Sequence, residues 1–184
     1  MGLKDLSSQQ LGKLGETAVA LELMKRGYDV INLNESLQNF QHADLLCICS
    51  KTGKMQPVQV KTGKTKNIYC GLIADPTTGV IQNLDEKIIC PWVFVHIAES
   101  STNDGETDLK FDFYVLLPDE VKELLKTAHL WYATQWDRTL TKDILVGVDV
   151  SWLEGGISKK TAHHPEYKSS LSSTSKDKWE KIML

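Results

Sequence analysis

The stretch "HADLLCICSKTGKMQPVQVKTGKTKN", residues 42–67, decides how this chain is read. Two apolar runs, "ADLLCICS" and "QPVQVKT", flank the turn-forming "KTGK". That pattern predicts an antiparallel hairpin. Side chains alternate across a strand, so Gln59 and Lys61 share one face while Val58 and Val60 share the other. On the neighbouring strand Asp44, Leu46 and Ile48 share a face, and a tight hairpin brings Asp44 opposite the 59–61 region. An acid, an amide and a lysine thus converge at one end of a sheet, where core residues or inert surface would serve a purely structural purpose.

Working outward, "SSQQLGKLGETAVALELMKRGYDV" spaces Leu11, Leu14, Ala18, Leu21 and Leu23 or Met24 as a helix does, with its start at Ser7 or Ser8 and Gly27 as the stop. "YDVINLN" reads as the strand between this helix and the hairpin. Residues 63–90 show turn chemistry at "DPTTG" and no clear period, so loop and irregular structure are expected there. "CPWVFVHIAE" and "KFDFYVLL" read as strands around a polar loop, "SSTNDGETD". "PDEVKELLKTAHLWYA" follows as a helix with Pro118 in its first turn, Asp119 and Glu120 placed for the macrodipole, and Leu124, Leu125 and Ala128 as its apolar stripe. The expected fold class is α/β, a central mixed sheet flanked by helices.

At 184 residues, 41% hydrophobic and 24% charged, the chain suits one globular domain, placed here at residues 1–157. From Ser158 a serine-rich tail, residues 158–184, carries six lysines against three acids and ends in an apolar pattern of Trp179, Ile182 and Leu184. It reads either as a surface segment with a docked terminal helix or as a basic arm for phosphates. The net charge of -3 excludes a nonspecific polyanion-coating protein, so any nucleic-acid site must be local. No signal core or membrane span is legible, which predicts a cytoplasmic, non-membrane protein. Cys47, Cys49, Cys70 and Cys90 form no CxxC pair or zinc pattern and read as reduced thiols. His163 and His164 adjoin in the tail without evident partner ligands.

A carboxylate and an amide oxygen are hard ligands suited to Mg2+ or Mn2+, and the Val60 carbonyl lies between Gln59 and Lys61 to join them. Lys61 is the cation placed to assist a water and to offset charge building on phosphorus. Together these groups suit phosphodiester hydrolysis. Glu16 is the candidate second acid. It follows Gly12 and Gly15 on the first helix, where small residues allow close approach of helix to sheet. Glu22, six residues on and roughly 240° round the helix, falls on another face. Each residue also has a plainer use: Asp44 as a strand start, Gln59 as strand surface, Lys61 as an edge gatekeeper.

With these residues in view, the segment from about Gln10 to Lys66 resembles the core of the PD-(D/E)XK nuclease superfamily. In that superfamily a helical glutamate precedes a strand aspartate, which precedes an acid-x-Lys strand. The resemblance places Glu16 at the helical acid, Asp44 at the metal-binding aspartate and Lys61 at the lysine. "QVK" puts Gln59 where an acid is usual, the QxK variant seen in Mrr-type restriction endonucleases, and Ala43 stands where proline usually precedes the aspartate. It implies a restriction-endonuclease-like αβββαβ-type core. It further implies a Mg2+- or Mn2+-dependent DNA endonuclease with catalytic Glu16, Asp44, Gln59 and Lys61. Glu16, Asp44, Gln59 and the Val60 carbonyl would hold metal, and a homodimer is compatible with double-strand cutting. Lys64 and Lys66, beyond the third strand, are expected to hold flanking phosphates. The alternatives are a nuclease-fold DNA-binding module without catalysis, and a protein-interaction module.

Overall fold

The computed structural model describes residues 2–36, 42–101, 107–135, 142–158 and 165–182. After a 3-10 turn at Leu3–Asp5, helix α1 spans Ser8–Lys25. Its start is set by a capping box: the Ser7 hydroxyl accepts the Gln10 N–H, and the Gln10 side chain accepts the Ser7 N–H at 2.9 Å. It ends at Gly27, whose φ of +85° suits a residue without Cβ. Strand β1 (Tyr28–Asn32), the one-turn helix α2 (Leu33–Ser36), β2 (Leu45–Cys49) and β3 (Met55–Gly63) follow. Then come β4 (Asn67–Ala74), the one-turn α3 (Leu84–Lys87), β5 (Trp92–Ser101), β6 (Thr107–Leu116) and α4 (Pro118–Gln135). The chain continues through β7 (Ile144–Asp149), α5 (Val150–Leu153), β8 (Ile157–Ser158) and β9 (Tyr167–Lys168) to a 3-10 turn at Trp179–Lys181.

The central sheet is mixed, in the order β1-β2-β3-β5-β6, with β3 and β5 parallel and the other neighbours antiparallel. Strand β5 is apolar on both faces because both are covered. Val93, Val95 and Ile97 join Val58, Val60 and the α1 residues Leu11, Val19 and Leu23 in one core cluster. Trp92 and Phe94 join β4, α4 and β7 in the other, through residues such as Ile68, Leu124 and Val146. This is an α/β protein built around a mixed sheet.

Several sequence expectations are corrected. Residues 67–74 are a strand: β4 alternates exposed and buried residues along its whole length and pairs with β7, which local patterns also missed. The link from β3 to its parallel neighbour β5 therefore holds β4 and one-turn α3 rather than the long crossover helix of an αβββαβ core. The turn at Asp75–Gly79 does form, with the Asp75 carboxylate accepting the Thr77 and Thr78 N–H groups at 2.9 and 2.7 Å. Strands β5 and β6 run on through Ser101 and from Thr107, shortening the expected loop. On α1 the buried stripe is Leu11, Gly15, Val19 and Leu23, while Leu21 and Met24 are about half exposed. The stripe is rotated because the helix touches the sheet at Gly15, where an added Cβ would overlap the Thr62 side chain; at Gly12 it would meet nothing within 4 Å. Cys47 is fully buried and Cys49, at the strand end, only partly.

The end of the tail is built into the fold. Val115 donates to the Ser175 carbonyl and Asp177 to the Phe113 carbonyl, each at 2.9 Å, so the segment covers the free edge of β6. Trp179 and Ile182 are buried in the cluster on the α1 side. The expected terminal helix is a single 3-10 turn. His163 and His164 lie outside the described residues.

Candidate functional site

The hairpin register fixes the site. Leu45 pairs with Val58, which sets Asp44 opposite Gln59, and Gln59 in turn pairs with Trp92 on β5. The backbone anchors Asp44 on both sides: its N–H donates to the Val58 carbonyl at 3.0 Å, and its carbonyl accepts the Leu33 N–H at 2.8 Å. The Asp44 carboxylate accepts the Val60 N–H at 2.7 Å and the Gln59 side-chain amide. Gln59 is 7% exposed and its amide nitrogen lies 3.5 Å from the Val60 carbonyl. Asp44, Gln59 and the Val60 backbone thus form one contiguous cluster.

Glu16 reaches the cluster from α1. The Gly15 contact with Thr62 seats the helix on β3, and the next residue projects toward the end of β1 and α2. There the Glu16 carboxylate accepts from the Asn32 amide at 3.1 Å and from the Asn34 amide at 3.4 Å. The same Asn34 nitrogen donates to Asp44 at 2.9 Å. One amide nitrogen therefore stands within hydrogen-bonding reach of both carboxylates. Burial pushes the Glu16 carboxyl above its ordinary value, and the Asp44 charge adds to that, against the two asparagine amides, which pull it down. Two acids confined near each other, one of them reluctant to ionise, is the electrostatic state that a cation would relieve.

Lys61 lies two residues from Gln59 on the same strand face. Its ammonium sits 5.3 Å from the centre of the Trp92 ring, although its own partner across β3 and β5 is Phe94. Because Trp92 pairs with Gln59, this rotamer leans the lysine toward the Gln59 end. Beneath, Cys90 is fully buried and its thiol is pushed up to about 11, first by burial, with Asp44 raising it and Lys61 lowering it. The carboxylate and the ammonium thus act on one buried atom from opposite electrostatic sides.

Other expected residues are placed elsewhere. Lys64 donates to the Leu3 carbonyl at 3.0 Å and the Leu6 carbonyl at 3.5 Å, tying the end of β3 to the turn before α1. Lys66 is exposed in the β3–β4 connection, and its carbonyl accepts the Val150 N–H. Glu22 forms surface pairs with Lys25 and Arg26 at 2.8 and 2.6 Å, away from Glu16. Asn32, Asn34 and Trp92 were missed by the sequence reading. Two asparagines on either side of Leu33 in "INLNES", at the end of a strand that disfavours them, were the available signal. Among the described residues, no group of three or more His, Cys, Asp or Glu side chains converges as a metal site. No helix is long and apolar enough to cross a membrane among the described residues.

No family model matches the chain, and no curated protein does. Among solved structures, a bacterial homing endonuclease, I-Ssp6803I, is similar at 19% identity over 62% of this chain and 71% of that one, with a TM-score of 0.37. A superposition so loose has no bearing on the site.

Proposed function

We propose that the chain is a Mg2+- or Mn2+-dependent DNA endonuclease with the QxK form of the PD-(D/E)XK site. The observation that carries this reading is the shared amide of Asn34, which joins Glu16 of α1 to Asp44 of the hairpin. A helix acid and a strand acid, distant in sequence, meet beside Gln59 and the Val60 backbone. The three antiparallel strands β1–β3, with β5 parallel to β3 and α1 on one face, support a restriction-endonuclease-like core. The β3–β5 connection is its departure from that pattern.

The donor set fits a hard divalent ion. The two carboxylates supply charge, and the amides of Gln59 and Asn34 each carry an oxygen on the arm opposite the N–H that now faces Asp44. A divalent cation, when bound, supplies charge that stabilises a phosphoryl group under attack. Glu16 and Asp44 hold that charge in place, and Gln59 orients the Asp44 carboxylate. Lys61, as the ammonium, contributes a second positive charge beside the phosphate and by that charge favours loss of a proton from the attacking water to solvent. Trp92, under the ammonium, restricts where Lys61 can swing. Lys66 and the exposed β3–β4 connection are the sites for flanking phosphates, and Lys64 joins them only by leaving the Leu3 and Leu6 carbonyls.

A second reading, a DNA-binding module without catalysis, is favoured by one feature: three N–H donors, from Asn34, Gln59 and Val60, already occupy the Asp44 oxygens. Plasmid nicking with Mg2+ or Mn2+ separates the two. The nuclease cuts, and Asp44→Asn and Lys61→Ala each abolish cutting while the circular dichroism spectrum is retained. If the wild type cuts no DNA form with either ion, the endonuclease reading is lost. Absence of heat on Mn2+ titration together with salt-sensitive DNA binding then establishes the module.

A further inference from the structure

Two asparagines touch the carboxylates, and their surroundings differ. Asn32 is committed at both arms: its nitrogen donates to Glu16 at 3.1 Å and its oxygen accepts the Glu35 N–H at 3.2 Å. Turning it over would break both bonds. Asn34 is exposed and donates through one nitrogen to Glu16 and Asp44, at 3.4 and 2.9 Å. Among the described residues nothing donates to its oxygen. The N–H arm of Asn34 therefore occupies the space between two acids where a cation would be attracted, with a partial positive charge that such a cation would repel. The two arms of a carboxamide are nearly the same size, so a half-turn about the last side-chain torsion exchanges N–H donors for an oxygen acceptor at almost no steric cost.

We propose that Asn34 is a cation ligand: its amide bridges Glu16 and Asp44 in the cation-free protein and turns to present Oδ1 when a divalent ion enters. This inference rests on the metal-site reading above and extends it to a residue on α2. It also gives α2, a one-turn helix, a task. Lys13 of α1 pairs with Glu35 at 2.7 Å, which ties α2 to the same helix that carries Glu16. The third oxygen ligand then comes with the geometry of the second. With Asn34 included, the neutral Gln59 is no longer the sole replacement for a missing acid.

The test uses the full chain and Mn2+ alone, read by the electron paramagnetic resonance signal of free ion and by calorimetry. Loss of a ligand or of its support weakens metal binding by about 10- to 100-fold, so Asn34→Ala is expected to weaken Mn2+ binding at least about 10-fold. Asn34→Asp, which keeps the oxygen and adds charge, is expected to bind at least as tightly as wild type. The side-chain amide resonance of Asn34, assigned by its loss in Asn34→Asp, is expected to shift on addition of Mg2+. Equal or tighter Mn2+ binding by Asn34→Ala overturns the proposal, as does a tenfold loss in Asn34→Asp or an unmoved amide resonance. In each of these cases a wild type that binds Mn2+ leaves the metal-site reading standing. A wild type that binds no Mn2+ overturns both. Should Asn34→Ala fail to fold, Asn34→Asp and the amide resonance decide alone.

Discussion

The same substitution at two glycines of one helix should have opposite effects. Replacing glycine by alanine inside a helix gains about 1 kcal/mol from propensity alone. At Gly12 an added Cβ meets nothing within 4 Å, so Gly12→Ala should stabilise the protein by about that amount. At Gly15 the new methyl would overlap Oγ1 of Thr62 and lie 2.9 Å from both its Cβ and Cγ2. Threonine is β-branched and stiff on a strand, so it cannot swing clear without strain, and an overlap this deep belongs at the upper end of overpacking costs, about 2–3 kcal/mol. Net of propensity, Gly15→Ala should destabilise by about 1–2 kcal/mol. For urea unfolding with a slope of about 2 kcal/mol per molar, the two variants' midpoints should separate by about 1 M or more. Relief should be specific: Thr62→Ala should restore more stability in the Gly15→Ala background than any effect it has alone, a coupling readable from the double-mutant cycle. On the metal-site reading, Gly15→Ala also moves Glu16 and weakens Mn2+ binding while Gly12→Ala does not. If Gly15→Ala raises the midpoint as Gly12→Ala does, α1 does not rest on Thr62, and the placement of Glu16 fails with it.

The tail offers two further tests. Trp179 is buried, packs on Phe113 at 5.4 Å between ring centres and lies under Arg26 at 4.6 Å. Trp179→Ala should cost about 3–5 kcal/mol in urea unfolding, and a loss below about 1 kcal/mol would show that the tail does not belong to the fold. Lys176 donates to Asp112 at 2.7 Å. Burial pushes the Asp112 carboxyl upward, but the Lys176 hydrogen bond and the charges of Lys176, Lys110 and His96 prevail and hold it below its ordinary 3.8. A carboxyl lowered on folding stabilises the protein above its unfolded value, and that contribution is lost as pH falls through the folded value. Asp112→Asn should therefore flatten the acid limb of the stability-against-pH curve below pH 3.8, and an unchanged limb would mean the pair is not formed.

Elements with local signals were legible in the sequence. The helix start at Ser7 or Ser8, the hairpin around "KTGK", the apolar run of β5 and the Pro118 start of α4 are each written within a few residues, and each is where its signal puts it. The pair β4–β7 was not legible, for two physical reasons. In β4 the buried set is Ile68, Cys70, Leu72 and Ala74, of which two are small, and Gly71 at φ +71° is a turn signal inside the strand, near a register shift. Its partner lies beyond β5, β6 and α4, so no turn announces the pairing. The helix stripe was misjudged because periodicity weights large apolar residues, whereas contact distance here is set by a residue with no side chain at all, Gly15. The role of the asparagine pair around Glu16 was not legible for a related reason: an amide gains its role from what it touches, and Asn34 touches two residues that only the fold brings together.

Gln59 can be judged by what an acid would do in its place. The residue is 7% exposed and its amide donates to Asp44. A carboxylate there would replace a donor by an acceptor facing another carboxylate, leaving Asp44 short of a bond and adding a third negative charge to a site already holding Glu16. The lost hydrogen bond alone is worth about 1–3 kcal/mol at a buried position, and repulsion adds to it. Gln59→Glu should therefore lower cation-free stability by at least about 1–3 kcal/mol at pH 8 and bind Mn2+ more tightly than wild type. Saturating Mn2+ should then recover the lost stability, because an ion that binds only the folded state stabilises it by mass action. If the loss persists at saturating Mn2+ and affinity is unchanged, Gln59 does not face a cation and its contact with Asp44 is structural. If stability is recovered, the glutamine is a compromise: it keeps the two-acid site folded without metal and accepts weaker metal binding in return.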